Sequence, residues 1–338
     1  MDQSRRDFLR ISLMGLAGFS ILSAIPGSAA AADIATPLKS RKVKFGIISD
    51  IHPDIMHDGP ERLAAFLKEA RKQKVDFIIE TGDFCQAKDE NIHFRNLWND
   101  FPAPHYHVIG NHDLDIVDKP DYIAFAGLPS RYYSFDLKGF HFIVLDPNNI
   151  EVDGKCRSPF RSGRYGNMID PEQLEWLRSD LAATDKRCLL FSHQSFERPD
   201  AVKNAAELRA ILEDENRRAG YNKVIAALSG HDHTDYHKVI NGIAYIQINS
   251  ASNQWVGDDY QCDKRYTPEI NAAHPMLKFT TPYKEPLFGF VTIDGNSLKI
   301  KGRKSYFVAP TPRELGIPEM LYGFPLTPTL SDIKFNFR

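Results

Sequence analysis

Short apolar runs alternate with stretches of helical periodicity along most of the chain. Residues 61–74, 171–183 and 204–218 place apolar side chains three and four positions apart, which predicts amphipathic helices. The apolar runs that predict buried strands cover 43–49, 75–81, 106–109, 140–145, 188–192 and 224–229. This alternation is typical of an α/β protein.

The later part of the chain has a different pattern. Residues 244–248, 287–294 and 298–308 also read as strands, and a turn signal at Asp294-Gly295-Asn296 joins the last two. They suggest a second, partly antiparallel sheet. Residues 255–286 show no clear period and are expected to form a long loop, a kind of segment that is often functional. The Pro-rich residues 309–338 are expected to be a tail packed on a single domain of residues 43–308.

Composition excludes several classes of protein. The 338 residues are 42% hydrophobic and 25% charged, which is typical of a soluble globular chain and not of a disordered or fibrous one. The 42 basic and 44 acidic residues nearly cancel, so no nucleic-acid polymer is expected as a partner. Four scattered cysteines are too few for a disulfide scaffold in a chain of this length.

The amino terminus has the layout of an export signal. Arg5-Arg6 precede an apolar stretch over 11–25, and the small residues of 27–32 follow it. The paired arginines resemble the twin-arginine type, so residues 1–32 are expected to be a signal peptide that the twin-arginine machinery reads. The apolar stretch is shorter than the roughly 20 residues of a spanning helix, so no stable membrane span is expected after cleavage. A periplasmic or secreted location follows from this prediction.

Polar side chains follow five of the predicted strands, at the point where each strand ends. Because ligands of α/β sheets bind beyond the carboxyl ends of strands, these segments can meet although they are far apart in the chain. The side chains of metal-ligand type among them are Asp50, His52, Asp83, Asn111, His193, His231 and His233.

Turn chemistry is the alternative explanation for these segments. Asp, Asn and Gly after a strand are usually turn residues, and any one of Asp50, Asp83 or Asn111 alone would be read so. A turn, however, does not require histidine at 52, 112, 193, 231 and 233. Carboxylate, amide and imidazole donors without thiolate favour divalent Zn, Mn or Fe.

The ordered blocks resemble the calcineurin-like metallophosphoesterase superfamily. They are Asp50-x-His52, Gly82-Asp83, Gly110-Asn111-His112-Asp113, His193 and Gly230-His231-x-His233. The resemblance implies an α/β sandwich of two mixed β-sheets flanked by helices. It also implies a phosphoester hydrolase in which Asp50, His52 and His233 hold one divalent ion, Asn111, His193 and His231 hold the other, and Asp83 bridges the two.

The same resemblance makes His112 a catalytic residue. His112 could hydrogen-bond a phosphate oxygen or protonate the leaving group. Asp113 is expected either to orient His112 or to cap a backbone group.

The chain departs from two branches of this superfamily. The protein phosphatases carry an Asp three residues after the bridging Asp, followed by a phosphate-gripping Arg, and the purple acid phosphatases carry a Tyr ligand at that third position. Here Gln86 and Ala87 occupy the two places. A small soluble phosphodiester is therefore the preferred substrate, with a phosphomonoesterase and a non-catalytic metal-binding scaffold as alternatives.

Loop residues near these blocks are weaker candidates for substrate recognition. They are His57, Arg161, Arg164, Tyr165, Asn253, Trp255 and His274.

Overall fold

The computed structural model describes residues 42–198 and 201–338. The export signal expected over residues 1–32 lies outside these ranges, so signal cleavage stays a prediction. Within them, the helices are too short or too polar for any to cross a membrane.

The strands and helices follow the predicted alternation. The strands are β1 (Val43–Ile48), β2 (Phe77–Glu80), β3 (His105–His107), β4 (Tyr133–Leu137), β5 (Phe140–Val144), β6 (Ile150–Val152), β7 (Lys155–Arg157), β8 (Arg187–Ser192), β9 (Val224–Ser229), β10 (Tyr236–Ile240), β11 (Ile243–Gln247), β12 (Asn253–Trp255), β13 (Thr280–Pro282), β14 (Gly289–Asp294), β15 (Ser297–Lys301), β16 (Arg303–Lys304), β17 (Met320–Leu321), β18 (Phe324–Pro325), β19 (Thr329–Leu330) and β20 (Ile333–Asn336). The helices are α1 (Gly59–Gln73), α2 (Ile92–Asn99), α3 (Lys119–Ala126), α4 (Pro171–Ala182), α5 (Ala205–Ala219) and α6 (Pro268–Ala273).

Two six-stranded mixed sheets dominate the fold. The first has the strand order β20-β15-β14-β1-β2-β3, and the second has the order β10-β11-β9-β8-β5-β4. In the first sheet β1, β2 and β3 are parallel, and β14 pairs antiparallel with β1. In the second, β5, β8, β9 and β11 are parallel, and antiparallel β4 and β10 form the edges. The predicted sandwich of two mixed sheets is confirmed.

Aromatic side chains fill the space between the sheets. The Phe45 ring stacks on Phe77 at a centroid distance of 4.5 Å and meets Phe142 and Phe191 edge-on at 6.0 and 5.8 Å. All four rings are fully buried. Burial of each such ring contributes about 1.5–3 kcal/mol, so this layer holds the two sheets together.

The helices cover the outer faces of the sheets. Helix α1 buries Leu63, Phe66 and Leu67 in an outer cluster that also contains Trp98 from α2. Helices α4 and α5 bury their apolar positions in the corresponding cluster on the second sheet. Helix α4 begins as expected, because the Asp170 side chain accepts a hydrogen bond from the Gln173 backbone N–H.

The sequence-based assignment of the later strands is wrong in one respect. Strand β11 pairs with β9 in the second sheet, whereas β14 and β15 extend the first sheet beside β1. The later strands do not form a separate sheet of their own. Each of the two large sheets has an edge with which a nearby strand can pair. The region 255–286, expected as a loop, contains α6 and β13.

Residues 309–338 contribute β20, which pairs antiparallel with β15 and forms an edge of the first sheet. The boundaries assigned to the domain and to this tail stay predictions.

Candidate metal centre

The ligand-type side chains predicted at five strand ends lie at one rim of the sandwich. Strands β1 and β2 end just before Asp50 and Asp83, and β8 and β9 end just before His193 and His231. Asn111 follows β3 after a short loop. The carboxyl ends of parallel strands from both sheets share this rim, so residues separated by up to 183 positions, from Asp50 to His233, come into contact.

Asp50, His52 and His233 form the first of two groups. The Nε2 atom of His233 lies 3.3 Å from Asp50 Oδ1 and 3.2 Å from His52 Nε2. All three side chains are buried. Their ligand atoms lie within 4.8 Å of one another, which is compatible with one shared metal ion.

Asp83, His193 and His231 form the second group. The Nε2 atom of His193 lies 3.1 Å from Asp83 Oδ2 and 3.2 Å from His231 Nδ1. The Asn111 amide oxygen lies 3.1 Å from the same Nε2 atom. The second group therefore contains the side chains that were expected around the second ion.

Asp83 lies between the groups. Its Oδ2 atom is 3.1 Å from His193 Nε2 and 3.6 Å from His52 Nε2. A carboxylate in this position can reach ions on both sides, as expected for a bridging ligand.

The backbone is strained at this rim. Asp50, His52, Asp83, His231 and His233 have positive φ values of 52°, 51°, 55°, 72° and 51°. A left-handed backbone conformation costs a non-glycine residue on the order of 1–3 kcal/mol. Residues in such conformations are found preferentially at functional sites. Here it turns the side chains of successive strand ends toward one point.

Two glycines allow the close packing of these turns. A Cβ atom at Gly82 would overlap the His193 imidazole, and one at Gly110 would overlap the backbone of Asp83. Gly82 also has a φ of 99°, which L side chains rarely adopt. The glycines before Asp83 and Asn111 are therefore required by the approach of neighbouring segments.

The outer ring nitrogens of two histidines are fixed by carbonyl groups. His193 Nδ1 lies 2.8 Å from the Thr81 carbonyl oxygen, and His233 Nδ1 lies 2.7 Å from the Asn253 carbonyl oxygen. Because a carbonyl oxygen can only accept, each Nδ1 donates its proton outward. The lone pair of each Nε2 is then available to a metal ion.

The donor set fits two divalent cations. Imidazole nitrogens lie 3.1–3.6 Å from carboxylate and amide oxygens. Most of these atoms carry lone pairs and act as hydrogen-bond acceptors. Acceptors packed this closely in a buried site repel one another unless a positive charge lies between them. Nitrogen and oxygen donors without thiolate suit Zn, Mn or Fe.

Without bound metal, protons partly supply this positive charge. Burial disfavours a charged imidazole, but the Asp83 carboxylate outweighs burial and raises the pKa of His193 to about 10. Burial lowers the pKa values of His52 and His231 to about 3, so both rings are neutral near pH 7. His52, His231 and the carboxylates thus already have the protonation states that metal binding requires, whereas His193 must give up a proton when a metal ion binds.

His112 stands beside the two groups without joining them. Its backbone N–H donates to Asp83 Oδ1 at 2.8 Å, and its Nδ1 donates to Asp115 Oδ2 at 2.9 Å. Burial opposes the imidazolium form, yet Asp83 and Asp115 together raise the pKa of His112 to about 9. Near neutral pH the ring is an acid that can release a proton.

The carboxylate that contacts His112 is Asp115 and not Asp113. Asp113 is fully buried and accepts backbone N–H groups from Cys85 at 3.1 Å and Gly110 at 2.7 Å. It thereby ties the turn after Asp83 to the turn before Asn111. Of the two roles considered for Asp113, orienting His112 and capping the backbone, the observed contacts match the second.

Sequence reasoning missed Asp115 and Glu80. Asp115 lies three residues after His112, and side chains three apart eclipse in the single 3₁₀ turn His112–Leu114. Buried Glu80 accepts from the Gly82 and Val108 backbone N–H groups and lies 2.9 Å from His107 Nδ1, behind the centre. The spacing of Asp115 was a usable signal, whereas nothing local pointed to Glu80.

A cleft of about 270 Å³ opens beside the centre, and we call it the access cleft. It is the route by which a small molecule could reach the two groups. Its lining consists of His52, Asp54, Ile55, Asp83, Cys85, Gln86, His112, Asp113, Asp115, Tyr165, Trp255 and Met276.

The loop candidates divide around this cleft. Tyr165 and Trp255 line it, and Asn253 reaches the centre through its carbonyl oxygen. The His57 ring packs against Tyr266 and His274, with centroid distances of 4.5 and 6.4 Å, outside the two ligand groups. Arg161 and Arg164 are exposed residues of the loop that carries Tyr165.

Comparison with known proteins identifies a family. Residues 43–235 match the calcineurin-like phosphoesterase family. A manganese-dependent ADP-ribose/CDP-alcohol diphosphatase of Arabidopsis thaliana is 25% identical over 266 residues, covering 61% of this chain and 85% of the plant protein. The protein of the same description from Oryza sativa subsp. japonica is 23% identical over 272 residues, covering 61% and 83%.

Solved structures share the fold. A dimetal phosphatase of Danio rerio superposes with a TM-score of 0.54 at 15% identity, covering 79% of this chain and 98% of that protein. GAP50, described as the anchor in the inner membrane complex of Plasmodium, gives a TM-score of 0.51 at 15% identity, with coverages of 88% and 89%.

Proposed function

The chain belongs to the calcineurin-like phosphoesterase family, and from this premise we propose that it hydrolyses a small phosphodiester outside the cytoplasm. It is a metal-dependent phosphoester hydrolase with a dinuclear centre. We assign one ion to Asp50, His52 and His233 and the other to Asn111, His193 and His231, with Asp83 shared between them.

The position of Asp83 carries this assignment. Its Oδ2 atom lies within 3.6 Å of an imidazole nitrogen from each group, and both groups present nitrogen and oxygen donors in a buried site. Two cations held there would supply the positive charge that lowers the pKa of a bound water and neutralises the phosphate.

His112 is proposed to give a proton to the leaving group. It lines the access cleft, and its Nδ1 is held by Asp115, so Nε2 is left for the substrate. Asp115 is then a positioning residue for the ring. Asp113 holds the two turns on which Asp83 and Asn111 are placed.

A diester is preferred over a monoester because the chain lacks a phosphate-gripping Arg after the bridging Asp. A phosphomonoester carries one more ionised oxygen than a diester, and a basic side chain is the usual partner for it. At the corresponding places the chain has two uncharged residues, Gln86, which lines the access cleft, and Ala87, which follows it in the sequence. The plant relatives are described as diphosphatases, so a nucleotide-like diphosphate is the rival substrate class.

A matched pair of substrates tests the proposed reaction. We expect protein purified after native export to contain about two metal ions per chain and to hydrolyse bis-p-nitrophenyl phosphate faster than p-nitrophenyl phosphate. Turnover of the monoester alone would make the enzyme a phosphomonoesterase. A metal-loaded protein without any hydrolysis would instead support the scaffold alternative.

Export by the twin-arginine route is proposed from residues 1–32. Replacing Arg5 and Arg6 together by Lys should leave the uncleaved protein in the cytoplasm, whereas the parent chain should be found in the periplasm or the medium. Cell fractionation with an immunoblot measures both the compartment in which the protein is found and the length of the chain. Equal export of the two chains would contradict the proposed route.

A further inference from the structure

The access cleft is acidic as far as the described residues show. Its lining contains neither Lys nor Arg, and the carboxylates that it presents outside the proposed metal centre and the buried Asp113 are Asp54 and Asp115. Lys88, a basic residue near this wall, is already paired with a carboxylate of the lining, because its Nζ lies 2.6 Å from Asp54 Oδ1. The one imidazolium on the wall, His112, is itself paired with Asp115, so the part of a substrate beyond the phosphate meets cations that already have carboxylate partners.

Two aromatic rings flank His112 in the same cleft. The ring centroid of Tyr165 lies 5.1 Å from that of His112, and the ring centroid of Trp255 lies 6.3 Å from it. Tyr165 is 59% exposed and Met276 at the same cleft is 45% exposed. These side chains leave apolar surface open to an incoming organic group.

The charges and rings together discriminate between substrate classes. Of the candidate ligands, His52 and Asp83 line the cleft directly, so a diester bound at the centre can extend an ester arm into it. A second phosphate on such an arm would lose water and meet Asp115, and it would have to compete with that carboxylate for the His112 ring. An uncharged or cationic arm would instead pack on Tyr165 and Trp255.

We propose that the organic arms of the substrate carry no second negative charge and bind against Tyr165 and Trp255 in the access cleft. The inference rests on the proposed function, because it requires a phosphodiester bound at the metal centre. It selects esters of neutral or cationic alcohols and disfavours diphosphates.

Three diesters that differ in one arm test the proposal. Ethyl p-nitrophenyl phosphate, p-nitrophenyl phosphorylcholine and 2-phosphoethyl p-nitrophenyl phosphate share the same reactive ester and carry a neutral, a cationic and an anionic arm. We expect kcat/KM for the first two to exceed that of the third by at least about tenfold. The difference should shrink at high salt, because salt screens exposed charges.

A charge introduced at Gln86 gives a matched pair of variants. Gln86 lines the cleft, and its Nε2 lies 3.4 Å from Asp115 Oδ2. Gln86→Lys should raise kcat/KM for the anionic diester about five- to tenfold relative to the neutral one. Gln86→Met has a similar length and no charge, so it should leave that ratio at the parental value.

The aromatic surface is tested separately. Tyr165→Leu and Trp255→Leu should each lower kcat/KM for the neutral and choline esters about five- to tenfold, mainly by raising KM. The metal content should be unchanged. Calorimetric titration of the metal-loaded protein with ethyl phenylphosphonate and with 2-phosphoethyl phenylphosphonate measures binding without turnover. The neutral phosphonate should bind the more tightly.

The outcomes separate this inference from the proposed function. If none of the diesters is hydrolysed, the proposed function fails, and the two phosphonates still rank the arms. If the diester with the phosphate-bearing arm is hydrolysed as fast as the neutral diester, or its phosphonate analogue binds as tightly, the inference is overturned. The hydrolase function then still stands.

Discussion

The two ends of the parallel strands differ in how their charges are balanced. At the amino-terminal end, charged side chains meet partners from the chain itself. Buried Lys223, just before β9, lies 2.6 Å from Glu215 Oε1, and His141 near the start of β5 lies 2.8 and 2.7 Å from Asp136 and Asp180. At the carboxyl-terminal end, carboxylates and imidazole nitrogens face one another in the candidate centre.

The difference shows at which end of the strands the charges are balanced without a bound ligand. The chain supplies both signs of charge at the amino-terminal end, so that end contributes stability. At the other end it supplies donors for cations and also tolerates five strained backbone positions. One pair of sheets therefore has an end that depends on bound metal and an end that does not.

The largest effect is expected at the shared carboxylate. Asp83→Ala should remove bound metal and lower kcat/KM by on the order of 10³-fold or more, because several kcal/mol of transition-state stabilisation are lost. Metal analysis and a bis-p-nitrophenyl phosphate assay measure the two effects. Full activity with two retained ions would rule out the bridging role, and circular dichroism checks that the variant is folded.

A smaller loss is expected when the acid beside the centre is removed. His112→Asn should lower kcat by about 10²–10³-fold with unchanged metal content, because general acid catalysis contributes on that scale. Asp115→Asn, which keeps the ring but weakens its anchor, should cost about tenfold. A loss of metal from His112→Asn would instead indicate that His112 is a ligand.

At the opposite end, the expected effect is on stability alone. Lys223→Met should lower the free energy of unfolding by about 2–3 kcal/mol, because Glu215 is left buried with the solvent-exposed Arg218 as its remaining basic partner. The double variant Lys223→Met/Glu215→Leu should recover much of this loss. Urea unfolding measures both, and reduced metal content in either variant would contradict the separation of the two ends.

The smallest effect concerns pH. Burial opposes the charged form of His141, but its hydrogen bonds to Asp180 and Asp136 raise its pKa above the ordinary value. The charged ring therefore stabilises the fold below the ordinary pKa, and this contribution is lost as pH rises through the raised one. His141→Gln should cost about 1 kcal/mol near pH 6, allowing for solvent screening, and less near pH 10. Unfolding curves that show a constant cost across this range would exclude the linkage.

The sequence alone determined the local elements and the chemistry of the strand ends. Helices α1, α4 and α5 were predicted within two residues at each end, because three-and-four spacing of apolar side chains is a local property. The ordered blocks from Asp50 to His233 indicated the family, the hydrolase function and the two metal ions, all of which are confirmed. The individual ligand roles stay predictions, although the structure brings these side chains together.

Tertiary structure decided which groups meet. Pairing of β14 with β1 and of β11 with β9 depends on which sheet edges are free, and a strand pattern contains no record of its partner. The choice of Asp115 over Asp113 beside His112 depends on the direction of side chains in one 3₁₀ turn. The acidic, aromatic lining of the access cleft likewise arises from segments distant in the chain, since side chains meet in space through packing and not through their order in the sequence.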